Sequence, residues 1–250
     1  MKRNFAGIIL AAGKGKRMKA KSVNKVVFLL GNKPMVLYAV HLLESNHINP
    51  IIVVVGHAKE SVMKLLGESV LYAEQKKRLG TGHAARTAVK LLPDSVTDAI
   101  IFNGDDAAFY RPEMITRLMQ EHVISNAAMT MLTVTVKNPT GLGRIIRDEN
   151  GNAVAIVEEK DASDEQKLVY EINPGCYIAN VSFLKKYLQK IKKSPITGEY
   201  YLVSLVELAV ANNLKVHAVH AGEISWRGVN TQDELKEAEA MLLHIKNSKI

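Results

Sequence analysis

The chain has 250 residues, is 47% hydrophobic and carries a formal net charge of +8. That is enough apolar material for one large domain or two small ones, and the absence of repeats and long Pro/Gly/Ser linkers favours a single domain over residues 1–250 with an insertion. The lone cysteine, Cys176, excludes an intrachain disulfide, and no stretch is long enough to cross a bilayer, so the expected setting is a reducing cytoplasm with no membrane partner.

Lys2 and Arg3 precede an apolar run, but the run is short and ends in Gly13-Lys14-Gly15-Lys16-Arg17 with no cleavage site. It reads as a first strand over 6–12 rather than a leader. Residues 51–55 and 99–103 have the same Ile- and Val-rich, nearly continuous apolar texture, as expected of strands buried on both faces of a parallel sheet. Between these strands the pattern predicts helices over 34–44, with Pro34 at the start, over 59–66, and over 81–92 ending before Pro93. Strand–helix alternation of this kind makes an α/β layered fold whose ligands sit at the carboxyl ends of the strands.

From about residue 140 the texture changes. Segments 144–147 and 153–158 flank Asp148-Glu149-Asn150-Gly151-Asn152, hairpin chemistry centred on Asn150-Gly151. A strand over 170–179, broken by Asn173-Pro174-Gly175, completes a small antiparallel β lobe. Helices follow over 181–191 and 199–211, then a strand over 215–220. Thr231-Gln232-Asp233-Glu234 is a capping box that opens a last helix to about residue 245.

The first strand ends in two glycines separated by one residue, then in cations: Lys14, Lys16, Arg17, Lys19, Lys21 and Lys25. Glycines let a backbone approach a ligand closely, and cations complement phosphate, so the segment reads as a phosphate cradle. It is neither a Walker loop nor a dinucleotide fingerprint. This clustering also accounts for much of the positive charge; Lys76-Lys77-Arg78 and Lys192-Lys193 are scattered, which argues against a dedicated nucleic-acid partner.

Asn103-Gly104-Asp105-Asp106 ends a buried strand with two acids, which suits either a Mg²⁺ ligand beside a nucleotide or a plain turn. Gln75 and Leu79-Gly80-Thr81-Gly82-His83-Ala84 offer a side-chain amide and exposed backbone to a pyrimidine edge, or a strand-to-helix loop with Thr81 as cap. His83 reads as a packing or capping residue, and His41, His47, His57, His122, His217 and His220 lack metal-ligand spacing. Cys176 reads as a small buried residue, while Glu158-Glu159-Lys160-Asp161, Asn173-Pro174-Gly175 and Gly228-Val229-Asn230 are unremarkable one at a time.

Taken in register, these segments resemble the pyrophosphorylase domain of bacterial bifunctional N-acetylglucosamine-1-phosphate uridyltransferases, in the sugar-nucleotidyltransferase superfamily. The resemblance rests on 10–18 with Lys25, Gln75 with 79–84, Gly104-Asp105, Gly141-Leu142-Gly143-Arg144-Ile145, 156–162, Glu171-Ile172-Asn173 with Gly175, Gly198-Glu199-Tyr200-Tyr201, and Gly228-Val229-Asn230. It implies a Rossmann-like nucleotidyltransferase sheet with a small β lobe closing over a sugar. By the same resemblance Arg17 and Lys25 hold the triphosphate and the reacting phosphate. Leu10, Ala11, Ala12, Gly13, Gly15, Gln75, Gly80 and Thr81 bind the nucleotide. Asp105 and Asn230 hold Mg²⁺, and Gly143, Glu158 and Asn173 hold the acceptor sugar.

The implied reaction makes UDP-N-acetylglucosamine and pyrophosphate from UTP and N-acetylglucosamine 1-phosphate. Another acceptor sugar, or dTTP as donor, is the first alternative; a non-catalytic sugar-nucleotide-binding regulatory protein is the second, and Arg17, Lys25, Asp105 and Asn230 argue against it. The chain departs from the family at Lys16 (usually Thr), Asn24 (Pro), Asn103 (aromatic), Asp106 (apolar) and Val203-Ser204 (Thr-Asp). The last of these touches the acceptor pocket, and Asp106 adds a candidate metal ligand. No hexapeptide-repeat β-helix is expected within 1–250, so a separate acetyltransferase is the expected partner.

Overall fold

In the computed structural model, which describes residues 3–18, 22–223 and 226–247, the central strands form where apolar residues run unbroken. Lys2, Lys19 and Lys21 lie outside the described residues. In chain order the elements are β1 (Phe5–Ala11), β2 (Leu29–Leu30), β3 (Lys33–Pro34), α1 (Met35–Ser45), β4 (Ile51–Val55), α2 (Lys59–Leu66), β5 (Leu71–Glu74) and α3 (Thr81–Val89). Then come β6 (Asp98–Asn103), α4 (Pro112–Ser125), β7 (Met129–Thr135), β8 (Gly143–Arg147), β9 (Ala153–Val157), α5 (Asp164–Lys167), β10 (Glu171–Asn173) and β11 (Cys176–Asn180). The chain closes with α6 (Val181–Tyr187), α7 (Ser204–Val210), β12 (Val216–Glu223) and α8 (Gln232–Asn247).

Ten of these strands make one sheet in the order β5-β4-β1-β6-β11-β7-β10-β8-β9, with β12 pairing β7 in parallel. The first four strands are parallel. From β11 onward the pairings along this order are antiparallel, so the expected β lobe is a wing continuous with the main sheet.

Side chains of a strand alternate between faces, and an apolar residue at every position therefore fills two cores. Ile9, Val53, Val55, Ile100 and Phe102 pack on one face against α1, α2, α4 and α8. Ile8, Ile52, Val54 and Ile101 pack on the other against α3, α6 and α7. Truncating one of these fully buried isoleucines to alanine costs about 2–5 kcal/mol. Among the described residues no helix is long and apolar enough to cross a membrane.

Three helices are shorter than the pattern predicts. The expected 81–92 helix stops at Val89, and 181–191 stops at Tyr187, where Lys190 N–H turns back to Tyr187 O at 2.9 Å. The expected 199–211 helix begins only at Ser204, because the carbonyls that would open it earlier are taken by other segments: Glu199 O accepts from Ser194 N–H (2.9 Å) and Tyr200 O from Gly82 N–H (2.8 Å). Those carbonyls are then not left for the N–H groups of residues 203 and 204, as an α-helical ladder from 199 would need.

Candidate active site

The register of the parallel strands decides what meets at their carboxyl ends. Leu10 pairs with Asn103, Ala11 with Val55 and Val55 with Glu74. The glycine loop after β1, Gln75 after β5 and Asp105 after β6 therefore emerge side by side, and Gly104 N–H donates to Leu10 O at 3.0 Å. They border a cleft of about 830 Å³. Every residue expected to touch nucleotide or metal lines it: Leu10, Ala11, Ala12, Gly13, Gly15, Arg17, Lys25, Gln75, Gly80, Thr81, Asp105 and Asn230.

Lys25 reaches across the molecule. Its ammonium forms an ion pair with Asp105 and donates to Asn230 Oδ1 (3.0 Å) and Val229 O (2.9 Å). The side chains of Lys25 and Asp105 are only 12% and 11% exposed, so this is no solvated surface pair. Asn24 fixes the approach. Its buried amide donates to Ala11 O (2.9 Å) and His57 O (2.7 Å), and its Oδ1 accepts from Val26 N–H (3.1 Å). Asn24 thereby staples the end of β1 to the turn that carries Lys25.

Asn230 is set by the start of α8. Thr231 accepts from Glu234 N–H (3.1 Å) as a capping box requires, while the Glu234 carboxylate reaches one residue further back, to Asn230 N–H (2.7 Å). The acidic turn at β6 is equally constrained. Asp106 is buried, its Oδ2 accepts from Asn103 Nδ2 (2.8 Å), and a Cβ on Gly228 would stand 3.1 Å from its Oδ1. Burial first, and then the adjacent Asp105 carboxylate, raise the Asp106 carboxyl well above the ordinary carboxylate range.

The loop before α3 needs its glycine. Gly80 has φ +101°, and a Cβ there would lie 2.5 Å from Tyr200 O and 2.9 Å from Tyr200 N. Thr81 is not the helix cap: Gly80 holds that position, and the Thr81 hydroxyl accepts from Leu202 N–H instead.

The three residues expected at the acceptor sugar lie elsewhere. Gly143 pairs with Asn173 between β8 and β10, and a Cβ on Gly143 would sit 3.6 Å from Glu158 Oε1, so the trio forms one patch on the wing. None of them lines the main cleft. Glu158, with Tyr201, Val203 and Ser204, borders a second hollow of about 550 Å³. The 158–161 and 199–203 segments contribute to both hollows, through Lys160 and Glu199 in the first and Glu158 and Tyr201 in the second. Burial, reinforced by Asp161 and Glu199, raises the Glu158 carboxyl above the ordinary range. Lys14, a cation of the expected phosphate cradle, also lines the cleft, as do Arg78, Lys160 and Glu199, which had not been assigned there from sequence. For Lys160 and Arg78 the available signal was a cation in a motif or run beside the residues that were assigned.

Asp105 and Asn230 are both oxygen donors, and both already face a cation, the Lys25 ammonium. This fits Mg²⁺, which takes one or two carboxylates and completes its shell with phosphate and water. Among the described residues no cluster of three or more His, Cys, Asp or Glu groups could hold an ion alone.

A cation-lined cleft at the carboxyl ends of parallel strands, closed by a glycine loop and an acidic turn, defines a nucleotide-handling α/β protein. The Nucleotidyl transferase family model matches residues 6–244, and the chain belongs to that family. It is 40% identical over 245 residues to the bifunctional protein GlmU of Caldanaerobacter subterraneus subsp. tengcongensis, covering 98% of this chain and 53% of that protein. Against the bifunctional protein GlmU of Bacillus subtilis the identity is 37% over 243 residues, covering 97% and 53%. The chain thus spans about half the length of the curated relatives it matches. A crystal structure described as a glucose-1-phosphate thymidylyltransferase of Bacillus anthracis, in complex with a sucrose, shares the fold with a TM-score of 0.80 at 21% identity over 95% of each chain.

Proposed function

We propose that this protein is a sugar-1-phosphate uridylyltransferase that makes UDP-N-acetylglucosamine and pyrophosphate from UTP and N-acetylglucosamine 1-phosphate. The observation that carries the reading is the meeting of Lys25, Asp105 and Asn230, from three distant parts of the chain, beside the glycine loop and Gln75. The similarity to GlmU proteins supports uridylyl over other groups.

An acceptor oxygen attacks the α-phosphorus in line, and the bond to the bridging oxygen of pyrophosphate breaks. The acceptor phosphate has a second pKa of about 6 and is mostly dianionic at neutral pH, so no general base is required. The difficulty is to bring two polyanions together. Lys14, Arg17, Lys25 and Lys160 offset that repulsion, and the glycine-loop backbone holds the triphosphate in position. Mg²⁺ held by Asp105 and Asn230 would neutralise phosphate charge. Gln75, Gly80 and Thr81 face the base, and the patch of Gly143, Glu158 and Asn173 takes the sugar.

The test is pyrophosphate release from UTP or dTTP with N-acetylglucosamine 1-phosphate or glucose 1-phosphate as acceptor. The reading requires the UTP and N-acetylglucosamine 1-phosphate pair to turn over fastest. Faster turnover with another pair reassigns the substrates, and release from none of them overturns the activity.

A further inference from the structure

Gln75 stands at the carboxyl end of β5, its N–H bonded to Val55 O (2.8 Å), its side chain buried and at the wall of the cleft. Its Nε2 lies 3.1 Å from Gly80 O and 2.9 Å from His83 Nδ1. A backbone carbonyl can only accept, so the atom facing Gly80 is the amide NH₂. The second hydrogen of that NH₂ points to His83 Nδ1, which must accept; the ring proton is therefore on Nε2. Burial, helped by Arg86 and Lys90, holds His83 below the ordinary imidazole range, in keeping with a neutral ring. Turning the amide over would set Oε1 against the Gly80 carbonyl, which has no hydrogen to give, and would give up that bond. Oε1, to which no described residue donates, is thus the atom Gln75 has left for a ligand.

We propose that His83 is a specificity-determining positioning residue of this cleft: by accepting the second amide hydrogen, beside Gly80 O, it helps to hold Gln75 with Oε1 as acceptor, selecting a pyrimidine whose N3 carries a hydrogen. Uracil and thymine have that N–H. Cytosine presents a lone pair at N3 and is rejected, as a site built to bond one edge rejects the edge lacking it. This rests on the reading that the cleft binds a pyrimidine nucleoside triphosphate through Gln75.

The experiment is calorimetric titration of the full chain with UTP and with CTP at pH 7.5, for wild type, His83→Leu and His83→Asn. His83→Leu removes the acceptor, and the UTP-over-CTP preference should fall by about tenfold or more, on the scale of losing one oriented hydrogen bond. His83→Asn places an amide oxygen near the former Nδ1 and should keep the preference within about threefold of wild type, a rescue that lost packing alone would not give. In a Gln75→Leu background the His83→Leu change should add nothing to the remaining ratio. An unchanged preference in His83→Leu overturns the proposal, as does equal loss in His83→Asn. A wild-type protein that binds neither nucleotide sinks the proposed function instead, and so separates the two failures.

Discussion

Replacing Lys25 by methionine keeps the length and apolar stem of the side chain and deletes one charge. In the free protein that charge is the counter-ion of Asp105 and a donor to Asn230 Oδ1 and Val229 O. Two unit charges in contact at about 3 Å attract by about 5 kcal/mol at an effective permittivity of 20. Cleft water and recovered solvation return part of this. The net loss should be about 2 kcal/mol, less than the 3–5 kcal/mol typical of breaking a fully buried pair. For a chain of this size that is a fall of about 4–8 °C in melting temperature in metal-free buffer. Turnover should drop about a hundredfold or more, as for loss of one preorganised electrostatic group.

The same geometry makes a second, opposite prediction for this variant. In wild type the ammonium sits against the two oxygens proposed to hold the divalent ion, so Mg²⁺ must displace it. Lys25→Met leaves those oxygens open, and saturating Mg²⁺ should stabilise the variant more than wild type; a ligand at a hundred times its dissociation constant stabilises by about 2.7 kcal/mol. Thermal unfolding with and without Mg²⁺ reads this directly. Trp226, the only tryptophan, packs against Gly228 two residues from Asn230 and offers a fluorescence check. Wild-type melting and turnover in Lys25→Met, or equal stabilisation of both proteins by Mg²⁺, would refute the reasoning.

Asn24→Ala removes the side-chain donor to Ala11 O and His57 O and uncaps the turn holding Lys25; urea unfolding should show a loss of about 3 kcal/mol, and turnover should fall at least about tenfold. Gly80→Ala puts a Cβ onto the Tyr200 backbone at a positive φ, so it should cost more than about 2 kcal/mol and weaken UTP binding in the same calorimetric assay. Asp98, fully buried at the start of β6, is pushed up by burial, but bonds from His122, Thr97 and Asn180 outweigh this and hold it below its ordinary value. A depressed carboxylate stabilises the fold above its unfolded pKa of about 3.9 and loses that contribution as pH falls through the folded value. Asp98→Asn should therefore be markedly less stable than wild type at pH 7, and the two should converge in urea unfolding below about pH 4. A constant gap across that range would contradict this assignment.

The central parallel strands were legible because burial on both faces demands an unbroken apolar run: all five residues from Ile51 to Val55 are buried. β7 is nearly as buried but escaped notice, because Thr130 and Thr133 interrupt its apolar run. Their hydroxyls are satisfied inside, by His122 (2.7 Å) and Glu171 (2.5 Å), a compensation that no pattern of hydrophobicity reveals. Edge strand β5 is short and half exposed, and carries too little signal. At the site, the glycine loop and Asp105 could be placed because both end predicted strands. Lys160 and Glu199 come from irregular loops, whose path depends on bonds such as Tyr200 N–H to Leu79 O. The pairing of Gln75 with His83 spans a turn that only the Gly80 backbone defines, and the raised pKa of Asp106 follows from burial that residue identity does not disclose.

The most direct test is anomalous diffraction from crystals grown with UTP and Mn²⁺ in place of Mg²⁺. The account predicts a manganese peak bound by the Asp105 carboxylate and Asn230 Oδ1, beside a triphosphate that the Lys25 ammonium and the glycine loop also touch. A peak away from both residues, or a nucleotide bound outside this cleft, would contradict it.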